Sequence, residues 1–350
     1  MNPKINPKLD TKINAKINTK IKTKINPKIN TCAGIVLYNP DPLRLKENIA
    51  AVTSQVDKII FVDNGTSADK IIFVDNGTGA DKIILADNRA GENELYNDPK
   101  KYIWIKNKKN IGVAAALNQI IKKADELCYE WVLTLDQDSI CSKNLVETLL
   151  TCGANYPDAG IIAPYIIDIN EMAVEEYLKL RLKLKEFEII KICITSGSLT
   201  SVKAYKSISG FNEELFIDQV DHDFCLRLHR ANWHIIKANR AWLLHEVGKS
   251  KAVYVAFCLG KLTGIEWFLR PKRISNHPPV RVYYQTRNLI YILRKYGREY
   301  TGLFNKSPIG YWINYCEGMC LRILAEEEKI KKIFAFIKGS WHGVLMKMVR

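Results

Sequence analysis

The sequence predicts an α/β protein built on a mostly parallel sheet flanked by helices, with a helical C-terminal extension. Three observations lead there. Short runs rich in strand formers, starting at Thr31 and recurring at Ile59–Val62, Ile103–Lys106 and Trp131–Leu135, alternate with segments of helical period. Several of these runs stop at Asp, Asn or Gly, and the carboxyl ends of strands are where open α/β sheets bind ligands. The last hundred residues change texture, interleaving basic and aromatic side chains as in Arg281-Val282-Tyr283-Tyr284-Gln285-Thr286-Arg287-Asn288.

Taken in order, residues 1–30 repeat Lys-Ile-Asn with Pro or Thr between, a low-complexity basic tract that cannot build a core and is expected to be disordered. Residues 31–250 are expected to form the α/β domain and 251–350 a basic, aromatic-rich helical region. From Thr31 a buried strand runs into a turn at Asn39-Pro40. A helix follows over Leu43–Ser54, and the strand Ile59–Val62 then ends at Asp63-Asn64-Gly65. Lys58–Asp69 (KIIFVDNGTSAD) recurs as Lys70–Asp81 (KIIFVDNGTGAD), and weakly again from Lys82 to Asn88. One strand-helix-strand unit needs only one such strand. The extra copy is therefore expected on the surface or at a sheet edge, and Asp63, Asp75 and Asp87 stand as equivalent candidates for one working position.

After the strand Ile103–Lys106, Gly112 and the alanines behind it open a helix through about Leu127. Its unpaired N–H groups can hold a phosphate; alternatively the small residues simply allow close packing on the sheet. The strand Trp131–Leu135 then stops at Asp136 and Asp138. In extended chain, residues i and i+2 point the same way, so the two carboxylates can share one cation or approach a ribose and diphosphate together. A surface turn, or a helix cap made by Asp138 or Ser139, is the other reading. A helix is expected over Leu145–Cys152, a short strand over Gly160–Pro164, an irregular charged flap over 168–190, and a strand from Ile192 running into the small-residue turn at Ser196-Gly197-Ser198. From Val220 the apolar spacing turns helical and places Asp221 in the first turn, where the helix dipole favours acids. Asp218, Asp221 and Asp223 within six residues are more than a cap requires. The apolar run Trp242–Leu244 ends at His245, either a packed histidine or a ligand. Residues 311–348 read as amphipathic helix with Trp312, Phe336 and Trp341, suited to packing on the sheet or to touching lipid headgroups, and both can hold.

The net charge of +15 is unevenly placed. Residues 1–30 carry eight Lys against one Asp, residues 251–350 carry 18 Lys or Arg against six Glu, and the middle is slightly acidic. This argues against a nucleic-acid groove over the whole protein and suits docking of one end on an anionic membrane. Nine scattered cysteines without a Cys-x-x-Cys pair read as reduced core thiols, with neither disulfides nor a zinc site. No run of 18 apolar residues and no signal-peptide core is present, so the expectation is a cytoplasmic protein, peripheral on the inner face of the membrane.

Six signals in this order, Val-Asp-Asn, Asn110-x-Gly112, Asp136-x-Asp138, Ser196-Gly197, Asp221-x-Asp223 and His245, resemble the GT-A-fold glycosyltransferases of family 2, in particular the bacterial rhamnosyltransferases of polysaccharide assembly. The resemblance spans roughly residues 31–300, and Arg281-x-Tyr283-Tyr284 with Arg287-Asn288 is similar to the family's C-terminal signature. It implies a GT-A fold and inverting, metal-dependent transfer from a nucleotide-sugar donor to a glycan or lipid-linked glycan acceptor. It implies that Asp63 or Asp75 contacts the nucleotide base, that Asn110, Gly112, Asp136, Ser196 and Gly197 lie in the nucleotide-sugar site, that Asp138 and His245 serve Mg²⁺ or Mn²⁺, and that Asp221 is the general base. Val220 stands where the family commonly has Glu before that Asp, which keeps Asp218 in contention. The leading expectation is rhamnose from dTDP-rhamnose. The alternatives are a UDP-hexose or UDP-N-acetylhexosamine donor, or a non-catalytic paralogue that keeps the fold.

Overall fold

Alternation sorts the sheet's side chains into two layers. In the computed structural model, which describes residues 30–66, 71–75, 81–85, 98–245, 250–252, 273–275 and 277–348, the first strands are β1 (Thr31–Leu37) and β2 (Lys58–Asp63), joined by helix α1 (Pro42–Thr53). On β2, Ile60 and Val62 face one core layer while Ile59 and Phe61 face the other, as the two-residue period of a strand requires. Helix α1 starts where Asp41 accepts hydrogen bonds from the Leu43 and Arg44 N–H groups, with Pro42 in the first turn.

The repeat leaves the main sheet. Among the described residues, strands β3 (Ile71–Asp75) and β4 (Asp81–Leu85) pair with each other, antiparallel, and not with the main sheet, so these parts of the second and weak third copies form a separate ribbon. Asp63 therefore ends a strand of the main sheet, whereas Asp75 does not; Asp87 and residues 1–29 lie outside the described residues.

The sheet continues with β5 (Tyr102–Lys106), helix α2 (Val113–Glu126), β6 (Trp131–Asp136), β7 (Ile140–Cys141), α3 (Leu145–Gly153), β8 (Ala159–Asp168), α4 (Val174–Leu180), β9 (Phe187–Ile190), β10 (Ser198–Ser201), α5 (Val202–Ser207), α6 (Val220–Arg230) and β11 (His234–His245). Its order is β5-β2-β1-β6-β10-β8-β11-β7, with β9 also on β11. Strands β5, β2, β1 and β6 are parallel, β10 runs against β6 and β8, and β11 is parallel to β8. A mostly parallel sheet with helices on both faces is the expected class. Strands β12 (Ser250–Ala252) and β13 (Arg273–Ser275) form a second small ribbon.

Two expectations are corrected. The strand foreseen from Ile192 begins only at Ser198, because Gly197, with φ of 78°, turns the chain before pairing with β6 starts. The segment 168–190 is not irregular throughout: it contains α4, and β9 pairs with β11. Beyond the sheet come α7 (Pro279–Tyr296), α8 (Arg298–Thr301), α9 (Pro308–Ala325) and α10 (Lys329–Leu345), so residues 311–348 make two helices broken at Glu326-Glu327-Glu328. Leu289, Tyr291 and Ile292 of α7 join the core layer that also holds α2 and α6.

Candidate active site

Asp136 ends β6 beside the carboxyl ends of β1 and β2, where a cleft of about 650 Å³ opens. Among its lining residues are Asp136, Asp138, His245, Asp221, Asn64 and Asn110. Ligand atoms of Asp136, Asp138 and His245 lie within 4.8 Å of one another. Two carboxylates and an imidazole this close form a donor set that fits a divalent cation.

A serine relay fixes this set. Ser196 Oγ accepts the Asp136 N–H at 2.9 Å and lies 2.9 Å from Ser139 Oγ, which is 3.0 Å from His245 Nδ1. From the other side, Asn48 on α1 donates its amide to the Asp136 carbonyl at 2.7 Å. Ser196 is buried and supports the ligands from below, and Gly197 N–H donates to the Thr134 carbonyl. Of that turn only Thr195 reaches the cleft wall. Ser139 read in sequence only as a possible helix cap, a place that Asn144 takes, and Asn48 carried no signal beyond being a polar residue on the apolar face of α1.

Enclosure in the cleft raises the Asp136 carboxyl above the ordinary carboxylate range; Asp138 and Asp221 add to this, while His245 and Arg281 oppose it. Three acids facing one space are what a cation would relieve.

The acidic segment after Phe216 divides into three different jobs. Asp218 pairs with Arg281 at 3.2 Å. Asp223 is fully buried and holds Arg227 at 2.8 Å, Lys295 at 3.0 Å and the Tyr296 hydroxyl at 2.8 Å. Asp221, in the first turn of α6, faces the cleft and accepts the neighbouring His222 N–H. Phe216, Asp218 and Gln219 all have φ near 63°, a conformation that costs non-glycine residues energy and is concentrated at functional sites.

At the start of α2, the Val113 and Ala114 N–H groups point at the Phe216 carbonyl at 2.7 and 3.4 Å. Close packing, not an open phosphate cradle, occupies this end. Gly112 and Asn110 still line the cleft, and Asn64 ties them in by donating to Asn110 Oδ1 and accepting from the Ile111 N–H. Asp63 is buried and accepts the Thr66 N–H, so Asn64 is the member of the Val-Asp-Asn motif that faces the cleft. The C-terminal region contributes Arg281, Arg322 and His277 to the cleft lining, and the two guanidinium groups supply positive charge there. Burial and the two guanidinium groups hold the His277 imidazole below its ordinary value.

The sequence model described as glycosyl transferase family 2 matches residues 32–209. The chain belongs to glycosyl transferase family 2. This family 2 glycosyltransferase is 29% identical over 278 residues to the "dTDP-rhamnosyl transferase RfbF" of Shigella flexneri, an alignment covering 75% of this chain and 79% of that protein. Its fold resembles the crystal structure of GalNAc-T7 with UDP, GalNAc and Mn²⁺, with a TM-score of 0.50 at 9% identity, covering 85% of this chain. The chain spans 58% of the length of that structure. No helix among the described residues of the transferase is long and apolar enough to cross a membrane.

Proposed function

We propose that this glycosyltransferase moves rhamnose from dTDP-rhamnose to a glycan acceptor, cell-surface or lipid-linked, with inversion at the anomeric carbon. The observation that carries the reading is the meeting of Asp136, Asp138, His245 and Asp221 in one cleft at the carboxyl end of the sheet. The donor follows the activity of the Shigella relative, a dTDP-rhamnosyl transferase. In this reading residues 31–250 form the catalytic unit, and the basic C-terminal region both closes the cleft and docks the enzyme peripherally on an anionic membrane at its cytoplasmic face.

Asp136, Asp138 and His245 would hold Mg²⁺ or Mn²⁺, which when bound neutralises charge on the departing diphosphate. Asp221 takes the proton of the attacking acceptor hydroxyl; Asp218 lines the same cleft but is less suited as base because its carboxylate is paired with Arg281. Asn64, Asn110 and Tyr38 present the wall for the nucleotide, with Asp63 holding the loop behind them. Arg281 and Arg322 offer positive charge to the diphosphate.

A panel of dTDP-rhamnose, UDP-glucose and UDP-N-acetylglucosamine, each with Mn²⁺, Mg²⁺ or chelator, tests this. Metal-dependent release of dTDP from dTDP-rhamnose alone is the expected result. Turnover only with a UDP sugar would replace the donor, and no turnover with any donor would leave the fold without the chemistry.

A further inference from the structure

Helix α10 has two opposite faces, and only one is explained by the fold. With 3.6 residues per turn, Lys332, Gly339 and Gly343 share the inner face. A Cβ at Gly339 would meet the Tyr283 carbonyl oxygen at 2.6 Å, and one at Gly343 would meet that of Arg287 at 2.7 Å, so backbone packs on backbone against α7. Tyr283 and His342 are hydrogen-bonded across the same seam, Arg294 donates to the Gly343 and Met346 carbonyls, and the buried Lys332 pairs with Glu326 at 2.8 Å. This face locks α10 in place.

The outer face carries Ile330, Phe334, Ile337, Trp341 and Leu345, each between 58% and 71% exposed. Five large apolar side chains in one helical stripe are far more than scattered surface hydrophobics require. Exposed lysines border the stripe, Lys331 and Lys338 along one edge and Lys329 and Lys347 along the other, and α10 contains no carboxylate. Beside the stripe, Trp312, Phe336 and Trp341 line an open apolar groove of about 670 Å³ with Ile290 and Leu293 of α7.

We infer that the outer face of α10 is the membrane-docking surface, lying in the plane of an anionic bilayer with the Ile330-Phe334-Ile337-Trp341-Leu345 stripe among the acyl chains and the flanking lysines at the headgroups. The proposal rests on the peripheral-membrane part of the function proposed above and names the surface responsible. Apolar stripe, lysine borders and an interfacial Trp match an anionic lipid surface in shape and charge. Lys331 is paired with Glu328 at the start of the helix, at 2.6 Å, but Lys329, Lys338 and Lys347 have no acid within α10 to meet them, so a second copy of the same face would set lysine edges against lysine edges. Because α10 lies directly on α7, which carries Arg281 into the cleft, docking through α10 fixes the orientation of that wall relative to the lipid. That suits an acceptor whose anchor stays in the bilayer.

The test is co-sedimentation of the full chain with phosphatidylglycerol-containing or pure phosphatidylcholine vesicles. It compares the wild type with the double variant Phe334→Glu/Trp341→Glu and with Leu182→Glu, a charge placed at a site 70% exposed outside α10. The wild type and Leu182→Glu should pellet with the anionic vesicles and less with neutral ones. The double variant should bind on the order of tenfold or more weakly, since two buried anchors are lost. Pelleting of the double variant like wild type overturns the proposal. So does a wild type that ignores vesicles, including one that sediments as a dimer which the double variant dissociates. Calorimetry of donor binding to the double variant, expected to match wild type, separates the two claims: absent donor binding in both proteins would indict the transferase reading, whereas the vesicle result judges the surface.

Discussion

Asp136 and Asp138 were legible as a pair because extended chain turns alternate residues the same way, but their spacing says nothing of what holds them. That work falls to Ser196, Ser139 and Asn48, which come from a turn, a bend and a helix and look like ordinary polar residues in sequence. Ser139→Ala should leave the fold intact and lower metal affinity on the order of 10- to 100-fold by freeing the His245 ring. Calorimetric titration with Mn²⁺ checks it, and unchanged affinity would show that the relay is incidental. Asp136 supplies a second prediction, with its sign set by the raised carboxyl. A group that binds its proton more readily folded than unfolded favours the fold at low pH, and that contribution is lost as pH rises through the folded value. In metal-free protein near neutral pH the charged Asp136 therefore opposes folding, to a degree limited by solvent because its side chain is 47% exposed. Asp136→Asn should raise the Tm of the metal-free enzyme and abolish the further rise that Mn²⁺ gives to wild type; thermal scans with and without Mn²⁺ decide it.

At the level of elements, helix extents followed from apolar period and caps: Leu43–Ser54 was expected and Pro42–Thr53 is found, and the helix opened by Gly112 runs over Val113–Glu126. The strand at Ile192 was misplaced because apolar composition cannot distinguish a paired strand from irregular chain lying on the core. Ile192 and Cys193 pack against the core while unpaired, and the ladder waits for the turn at Gly197. Gly197→Ala would place a Cβ at positive φ and 2.8 Å from Leu243 Cδ2. A loss of about 1–3 kcal/mol is expected in urea unfolding, with metal affinity falling as well because Ser196 is the adjacent residue. In sequence the acidic run 218–223 is one cluster with two contenders for the base. Its division among an ion pair, the cleft and the core depends on Arg281, Lys295 and Tyr296, which lie at least 58 residues later.

At the scale of the molecule, the α/β class was legible because strand and helix periods alternate cleanly through residue 245. The acidic half of the cleft was legible because its carboxylates sit at strand and helix ends. The part lined by the C-terminal region was not, since Arg281 and Arg322 reach the cleft only through the packing of α7 and α9 against the sheet domain, with His277 just ahead of α7. The duplicated segment likewise gave no sign of which copy enters the sheet; pairing of β2 with both β1 and β5 answers that for the backbone. The central claim is that this composite cleft binds donor through Asp138 and its partners, and activates the acceptor through Asp221. It is tested most directly by measuring turnover and metal-dependent donor binding on one preparation of Asp221→Asn. Asn keeps the size of Asp but cannot take the proton at neutral pH, so donor binding should match wild type while turnover falls on the order of 10²- to 10⁴-fold. Near-native turnover by Asp221→Asn would contradict the account, and loss of turnover in Asp218→Asn instead would move the base to the carboxylate now paired with Arg281.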